Sequence, residues 1–435
     1  MLAPDGKPRS AGARLIGRAR RVVTSASVQA ALALGVGGVA FALASLLMAR
    51  FMEPEVFGLL MLVLALVQLG IGLGPLGVDL VVNRHRLPAT GQLCTRVVLT
   101  ATLAAVLVCG IGKLLYGIPM SLLALLFAIV IVSAANRVGA AFFQSAERFA
   151  GALALTQAHN FVFLATVPLA LLVGDFSVAF VLRIVLAGYA LTALVGWLSA
   201  RASLADRGQP VGETVLLREG LGGLGIALAV LMMMMMERYL IPILLSLEAM
   251  ATFSVLASVV GAPFRMMQLA IGFTLLPQLR RATSKAAAHQ LIRSETAIGL
   301  AICLGGTLLV LTVGPWAINQ IVGDRYEIGL PLFIAAILAG YAKILHGTTL
   351  AIVNALGSPR ILALMGTAAW LSLVVAAVLS WALSGLGLQG IIYGVGGGWL
   401  MQALVALWLC RGVIRRRFQV PPAQTPAPVA TDLVL

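Results

Sequence analysis

Twelve apolar stretches, each close to the length that crosses a lipid bilayer, constrain the fold of this chain more than any other feature. A membrane-spanning helix needs about 20 mainly apolar residues, and short polar segments separate the twelve candidates in the 435 residues. The candidates are residues 27–48, 56–78, 97–116, 119–133 (which can extend to Phe143), 151–173, 177–199, 220–245, 250–276, 296–318, 330–353, 361–383 and 388–410. The sequence therefore predicts an all-α integral membrane protein with about twelve transmembrane helices.

The amino-acid composition supports a membrane location and excludes several other classes. Charged residue types make up 10% of the chain and hydrophobic types 61%, whereas soluble globular chains are about 25% charged and about 45–50% apolar. So few charges cannot cover a water-facing surface, which excludes a soluble domain. The four cysteines show no CxxC or other metal spacing and are interpreted as small packing residues. No P-loop, H-E-x-x-H or G-x-S-x-G motif occurs, so we expect a membrane transporter without cofactor or metal rather than an enzyme.

The distribution of positive charge predicts the topology. The chain has 30 lysines and arginines and a net charge of +15, which in a soluble protein would suggest a nucleic-acid partner. If the N-terminus is placed inside, 23 of the 30 bases fall in inside segments, and only Arg50, Lys113 and Arg325 fall in outside loops. This positive-inside bias orients a membrane protein. Both termini are therefore expected in the cytosol, and no nucleic acid is needed to explain the charge.

A polar linker at residues 201–219 divides the predicted spans into two sets of six. Residues 27–200 are expected to form an N-terminal six-helix bundle and residues 220–411 a C-terminal one, both beginning on the cytosolic side. Repeats with the same orientation are related by an axis along the membrane normal. Residues 1–26 are basic and lack the apolar run of a signal peptide, so we expect a cytosolic tail there. Residues 412–435 are expected to form a disordered cytosolic tail, because the segment after Arg417, FQVPPAQTPAPVATDLVL, is rich in proline and alanine.

Four basic residues lie within the predicted spans, where topology does not explain them: Arg183, Arg238, Arg265 and Lys343. An ionisable side chain near the bilayer centre costs at least ~2.5–3.5 kcal/mol on insertion scales, so such residues usually face a protein interior or water. Arg265 and Lys343 lie about halfway along their spans, and neither span offers a carboxylate at that depth for a structural ion pair. We therefore expect both side chains to line a cavity.

Helical spacing adds polar neighbours to these two bases. Gln268 shares a helix face with Arg265, while His346 and Asn354 share one with Lys343. Polar stripes of this kind favour contact with water or a polar ligand. Gln268 and Asn354 are therefore candidate polar residues of the cavity.

Alternatives remain open for the other groups. Arg183 and Arg238 lie in the outer third of their spans, close enough to the interface for their side chains to reach water. Arg238 can also pair locally with Glu237 or Glu248. Glu237 and His346 are candidate coupling groups, although a histidine in such a span is more often a packing residue than a proton relay.

Four bases against a single mid-span acid, Glu237, predict an anionic ligand in a shared cavity. Arginine binds phosphate through two parallel hydrogen bonds and lysine binds it as a point charge, so a diphosphate head group would suit the cluster. Moving an anion out of a negative interior gains ~2.3 kcal/mol per charge per 100 mV. The predicted substrate-binding residues are therefore Arg265, Lys343, Arg183 and Arg238.

Several motifs resemble a known family. The stretch SLLMARFMEPEVFGLLMLVLALVQLGIGLGPLGVDLVVNR is similar to the opening of bacterial polysaccharide (O-antigen) exporters of the multidrug/oligosaccharidyl-lipid/polysaccharide (MOP) superfamily, with their "aR-x-x-x-x-e-x-F/Y-G" loop at Arg50 to Gly58. In the second half, LMMMMMERYLIPILLS resembles the seventh helix of the family, with its acid-base pair at Glu237 and Arg238. TFSVLASVVGAPFRMMQLAIGFTLLPQLRR resembles the eighth helix, and ALGSPR resembles the turn after the tenth, with Ser358 and Pro359 departing from the basic version.

The resemblance implies a fold, a substrate and partners. It implies two six-helix bundles in a MATE-like V around a cationic central cavity that works by alternating access. It implies a flippase that moves undecaprenyl-diphosphate-linked oligosaccharide from the inner to the outer leaflet of the bacterial cytoplasmic membrane. Membrane lipids, glycosyltransferases and a polysaccharide polymerase are the partners that this activity implies.

Two other functions compete with the flippase. A cation-coupled antiporter for drugs or small molecules belongs to the same superfamily, but its relatives use membrane carboxylates, and the first half here has only Asp79 at a span end. A membrane-embedded polymerase or acyltransferase would need a large outside loop or an intramembrane catalytic histidine with partners. The loops of this chain are too short to form a domain of about 50 residues or more.

Overall fold

The computed structural model describes the backbone of residues 26–204, 211–282 and 284–419. Side chains are described for the same residues except 26–34, 203–204, 226, 262–263, 265–274, 276–277, 302, 359 and 418–419. The described chain is helical, and its α-helices are α1 Ala26–Phe51, α2 Pro54–Leu73, α3 Val78–His85, α4 Gly91–Tyr116, α5 Met120–Ser145, α6 Phe149–Val173, α7 Val178–Leu204, α8 Glu213–Leu244, α9 Leu247–Arg281, α10 Lys285–Val322, α11 Leu330–Leu356, α12 Pro359–Ala382 and α13 Leu388–Gln419.

Each of the twelve predicted spans coincides with one long helix, which confirms the all-α fold. Ten of the described helices are long and apolar enough to cross a membrane. The other two, α1 and α9, have shorter apolar parts within the described residues, Gly35–Phe51 and Leu247–Gly261. The chain therefore has the helices of a multi-pass membrane protein.

The structure also corrects several expectations about where helices begin and end. The short helix α3 follows the second span and was not predicted. Helix α5 runs to Ser145, beyond residue 133 and close to the longer predicted limit at Phe143. Within it, Arg137 Nε donates to Asp79 Oδ2 at 2.7 Å and joins α5 to α3. Helix α13 runs to Gln419, so the first part of the tail predicted as disordered is helical, while 1–25 and 420–435 lie outside the described residues.

The two halves repeat the same pattern of helix packing. Within the first half α1 packs on α6, α2 on α5, α4 on α5, and α5 on α7. The helices six spans later pack in the same way: α8 on α12, α9 on α11, α10 on α11, and α11 on α13. Contacts between the halves are also equivalent when each helix is replaced by the one six spans away. The pair α2 and α8 corresponds to the pair α9 and α1, and the pair α1 and α10 corresponds to the pair α8 and α4. The fold is therefore built from two equivalent six-helix bundles.

The distribution of exposed apolar side chains indicates which faces meet lipid. Helix α2 lies between the halves, and most of its side chains are buried, Phe57 and Leu66 among them. Helix α12 lies at the periphery and exposes Trp370, Val374 and Val378 along one stripe. Since lipid is as apolar as these side chains, such a surface is stable in a membrane and would not be in water.

A carbonyl clasp ties the halves together where α1 and α10 end. Arg50 Nη1 donates to the carbonyl oxygens of Gln320 and Ile321 at 3.4 and 3.3 Å. In return, Arg325 Nη1 donates to the carbonyl oxygens of Arg50 and Met52 at 3.3 and 3.2 Å. Each arginine thus lies at the negative end of a helix in the other half, where a cation is favoured.

An ion-pair clasp ties the halves together at the start of α8. Glu219 Oε2 lies 3.3 Å from Arg84 Nη1 and 2.9 Å from His85 Nε2, both on α3. Arg96 on α4 lies 3.5 Å from Glu213. The starts of α4 and α8 therefore meet at one place and the ends of α1 and α10 meet at another, as the predicted alternation of spans requires.

Glycines allow the backbones of the two halves to approach closely beside both clasps. A Cβ atom at Gly58 would collide with the carbonyl oxygen of Leu247, at the start of α9. A Cβ atom at Gly77 would collide with the backbone of Gly220 on α8, and Gly77 also has a φ of 79°, in the left-handed region that favours glycine. The interface between the bundles therefore depends on these small residues.

We expect Gly58→Ala to weaken the interface between the halves. The added methyl group meets a backbone atom that cannot rotate away, so the variant should lose about 1–3 kcal/mol of stability, as other overpacked sites do. Gly110→Ala is the matched control, since Gly110 also lies in a helix and a Cβ there meets no atom within 4 Å. Thermal unfolding of the purified proteins in detergent checks both; equal or higher stability of Gly58→Ala would contradict the assignment.

Candidate functional site: two cavities that share Arg238

The first cavity, here named the charged cavity, lies within the C-terminal half and measures about 100 Å³. Its walls come from α8, α9, α11 and α13, and most of its lining is apolar or aromatic, including Phe253, Phe264 and Trp399. Three charged side chains lie among the described lining residues: Glu237, Arg238 and Lys343. Their formal charges leave a net charge of +1.

Lys343 has a carboxylate partner, contrary to the sequence-based expectation. Its Nζ donates to Glu237 Oε1 at 2.7 Å, and Glu237 is only 3% exposed. The partner was missed because the prediction considered acids only within the span of Lys343, whereas Glu237 comes from α8. Lys343 still lines the cavity, and its Nζ lies 6.0 Å from the centre of the Trp399 ring.

The second cavity, here named the amide cavity, measures about 260 Å³ and is formed mainly by the N-terminal half. Its polar lining consists of Gln68 on α2, Gln157, His159 and Asn160 on α6, Tyr189 on α7 and Arg238 on α8. Asn160 Nδ2 donates to Gln157 Oε1 at 2.9 Å. The His159 and Tyr189 rings stack with their centres 5.3 Å apart.

Arg238 lines both cavities and therefore marks their common boundary. Its guanidinium carbon lies 5.8 Å from the centre of the Phe41 ring in the amide cavity, within the range of a cation–π contact. Among the described residues that line the amide cavity, Arg238 is the one that carries a charge. The positive charge of Arg238 is therefore shared by both cavities. On one side of it lies the Glu237–Lys343 pair, and on the other lie uncharged hydrogen-bonding groups.

The other predicted site residues lie in different places. Arg183 is exposed on α7 and is not part of the described lining of either cavity. Asn354 is exposed near the end of α11, where its carbonyl oxygen accepts from Arg280 at 3.4 Å. The side chains of Arg265 and Gln268 lie outside the described residues, although their helix, α9, borders the charged cavity.

His346 is buried beside Trp399, a lining residue of the charged cavity. It is 1% exposed, and its ring centre lies 5.1 Å from that of Trp399. Among the described residues, neither ring nitrogen of His346 nor Nε1 of Trp399 has a hydrogen-bond partner. Buried polar groups normally find protein or water partners, so this position suits ordered water.

The amide cavity was missed by sequence reasoning, which searched the spans for charge. Gln157 and Asn160 are three residues apart, so they share one face of α6. Two amides on one face of an otherwise apolar span could have indicated a polar cavity from the sequence alone. Gln68 and Tyr189 come from other helices, and only the packing of α2 and α7 brings them to the same place.

The comparisons with known proteins assign the fold. The lipid II flippase MurJ, in an inward closed conformation, superposes with a TM-score of 0.66 at 9% identity over 88% of this chain and 87% of that one. An inward-facing multidrug resistance MATE transporter of the MOP superfamily gives 0.61 at 15% identity over 87% and 95%. A MOP superfamily transporter from Pyrococcus furiosus, described as having a binding pocket of reversed polarity, gives 0.51 at 15% identity over 95% and 100%.

These structures share the MOP transporter fold with this chain over nearly its full length. No known sequence family and no curated protein matches it. At 9–15% identity the structural similarity establishes the architecture and not the substrate. The expected all-α, MATE-like fold is therefore confirmed. The chemistry of the two cavities is what bears on the substrate.

We expect the Glu237–Lys343 pair to be a stability determinant as well as part of the cavity. Glu237→Gln or Lys343→Met alone should destabilise the protein by a few kcal/mol, toward the lower part of the ~3–5 kcal/mol range for broken buried pairs, because Lys343 is partly exposed. The double variant Glu237→Gln/Lys343→Met should recover most of that loss, since no charge is left unpaired. Apparent melting temperatures in detergent measure all three.

The matched control is Glu147→Gln, which breaks the exposed pair with Arg86. Both side chains of that pair are more than half exposed, and exposed pairs contribute about 0–1 kcal/mol. A double variant as unstable as the single variants would show that the two side chains act independently.

Proposed function

We propose that this chain is a flippase for polyprenyl-diphosphate-linked oligosaccharide, acting from the inner to the outer leaflet of a bacterial cytoplasmic membrane. The observation that carries the proposal is the pair of adjoining cavities that share the cation Arg238, with Lys343 and Glu237 on one side of it and uncharged hydrogen-bonding groups on the other. A sugar diphosphate has the same two-part chemistry. The motif resemblance to polysaccharide exporters and the MOP fold of the structural neighbours agree with it.

The diphosphate is assigned to the charged cavity. Arg238 can form two parallel hydrogen bonds to phosphate oxygens, and Lys343 contributes a point charge. Arg265 is a third candidate, placed by its depth on α9. Since Glu237 already neutralises Lys343, an incoming diphosphate competes with that carboxylate, and binding would loosen the link between α8 and α11.

Alternating access is assigned to the interface between the two equivalent bundles. In transporters built from repeats, one bundle rocks against the other around a fixed site. Here the carbonyl clasp and the ion-pair clasp both join the halves, and each must open in turn for the cavity to reach one side. The polyprenyl tail would remain in lipid while the sugar diphosphate crosses through the cavities. Glycosyltransferases would supply this substrate, and a polymerase would consume it.

The energy source is assigned to the acid-base groups of the C-terminal half. Glu237 is a buried acid in contact with Lys343. His346 is also buried, beside Trp399. Protonation of Glu237 would release Lys343 to the substrate, which would couple proton binding to substrate binding. A shift in the pH dependence of transport on Glu237→Gln is the expected sign of this role.

A cation-coupled drug antiporter is the second candidate. Several of the structural neighbours are MATE multidrug transporters, and Glu237 is a buried acid in a cavity lined by aromatic side chains. The net charge of +1 among the described lining residues disfavours a cationic drug. Deletion that raises drug sensitivity without a glycan defect would favour this candidate over the flippase.

We expect Arg238→Gln, Lys343→Ala and Arg265→Ala each to lower glycan export at least tenfold, since losing a hydrogen bond between a charged side chain and a phosphate typically costs ~2 kcal/mol or more. Surface glycan is measured in cells that depend on this chain, with the amount of inserted protein determined in parallel. Arg183→Ala is the control and should export normally, because Arg183 is exposed and outside the described lining of both cavities. Full export by a correctly inserted Arg238→Gln/Lys343→Ala double variant would refute the head-group assignment.

A further inference from the structure

The amide cavity has the chemistry of a site for an uncharged sugar. Apart from Arg238 at its boundary, its polar groups are three carboxamides, a histidine and a phenol, which together present both donors and acceptors. Gln157 and Asn160 bond to each other through one donor and one acceptor, so each amide keeps further hydrogen-bonding capacity. Sugar hydroxyls both donate and accept, and neighbouring hydroxyls match an amide that offers both roles.

The remaining walls of the amide cavity are flat and aromatic or apolar. The Phe41 and Phe163 rings lie 5.3 Å apart on one side, and the stacked His159 and Tyr189 rings lie on another. A pyranose ring carries C–H groups on its faces and hydroxyls on its edge, so it needs apolar faces beside polar groups, as small-molecule sites usually provide. An inorganic ion or a lipid tail would not need this combination.

The size of the amide cavity limits what it can hold. At about 260 Å³ it lies just below the roughly 300–1,000 Å³ of typical small-molecule sites. This volume suits a single sugar ring rather than a complete oligosaccharide. The other sugars of a repeat unit would have to lie elsewhere between the halves.

The position of Arg238 decides which sugar occupies the cavity. Arg238 lines both the amide cavity and the charged cavity, so a phosphate held there has the amide cavity directly beside it. The sugar bonded to that phosphate is the only one whose distance from it is fixed by a covalent bond. We propose that the amide cavity binds the uncharged first sugar of the substrate, the one attached to the diphosphate, through Gln68, Gln157 and Asn160.

This inference rests on the proposed function, and it adds a selection step to it. A polyprenyl diphosphate without sugar would fill only the charged cavity. A lipid that carries its first sugar would fill both cavities and gain the hydrogen bonds of the amides. The chain would therefore distinguish a loaded carrier from the bare carrier, which a diphosphate site alone cannot do.

Binding to the purified full chain in lipid nanodiscs tests the proposal. The probes are bare undecaprenyl diphosphate and undecaprenyl diphosphate carrying one glucose, galactose, N-acetylglucosamine or N-acetylgalactosamine. At least one sugar-bearing probe should bind about tenfold more tightly than the bare lipid, a difference of ~1.4 kcal/mol. Equal affinity for all five probes would overturn the proposal.

Variants assign the preference to the cavity. Gln157→Leu/Asn160→Leu should remove the sugar preference and leave the affinity for the bare lipid unchanged, and Gln68→Leu, on a different helix, should reduce the preference by itself. Arg238→Gln should weaken all probes alike. Gln144→Leu is the matched control, because Gln144 is an exposed amide outside the cavity. A sugar preference that survives in both amide variants would place the sugar elsewhere.

Failure of the proposed function gives a different result. If the unmodified chain binds neither the bare nor the sugar-bearing lipids, the flippase assignment fails, and the inference fails with it. If it binds all of them equally, the diphosphate assignment stands and only the sugar site is wrong.

Discussion

The cost of placing a polar group in hydrocarbon determines the arrangement of this molecule. A charged side chain that faces lipid loses its hydration and gains nothing in return, so the helices turn such groups toward each other and toward internal cavities. Glu237 and Lys343 meet across two helices for this reason, as do Asp79 and Arg137. Trp370 and Val374 show the opposite outcome on α12, where apolar side chains cover the outside.

The same cost gives the interface between the halves its special character. Each bundle packs its helices in the same pattern, so either half contains the contacts of a complete six-helix unit. The amide cavity, both clasps and the close approaches at Gly58 and Gly77 all involve residues of both halves. The buried apolar side chains of α2 also lie between the halves, so polar groups, small residues and apolar packing together hold the two bundles against each other.

The apolar spans and their order could be predicted from the sequence, because the length and hydropathy of a transmembrane helix are local properties. The partner of Lys343 could not, since Glu237 belongs to a helix more than a hundred residues earlier in the chain and only tertiary packing brings the two together. Arg183 shows a related limit: its position in a predicted span did not reveal that its side chain is exposed on α7 and does not line a cavity among the described residues. The amides at Gln157 and Asn160 were visible in the sequence, yet their significance depends on Arg238 lying beside them.

The two clasps place different demands on sequence variation. In the carbonyl clasp, the bonds of Arg50 and Arg325 among the described residues go to main-chain oxygens, so they do not depend on which side chains stand at Gln320 and Ile321. The ion-pair clasp instead depends on side chains, and Glu219 contacts both Arg84 and His85. A substitution of Gln320 would therefore leave the bonds of the carbonyl clasp in place, whereas a substitution of Glu219 would remove the contacts to both Arg84 and His85.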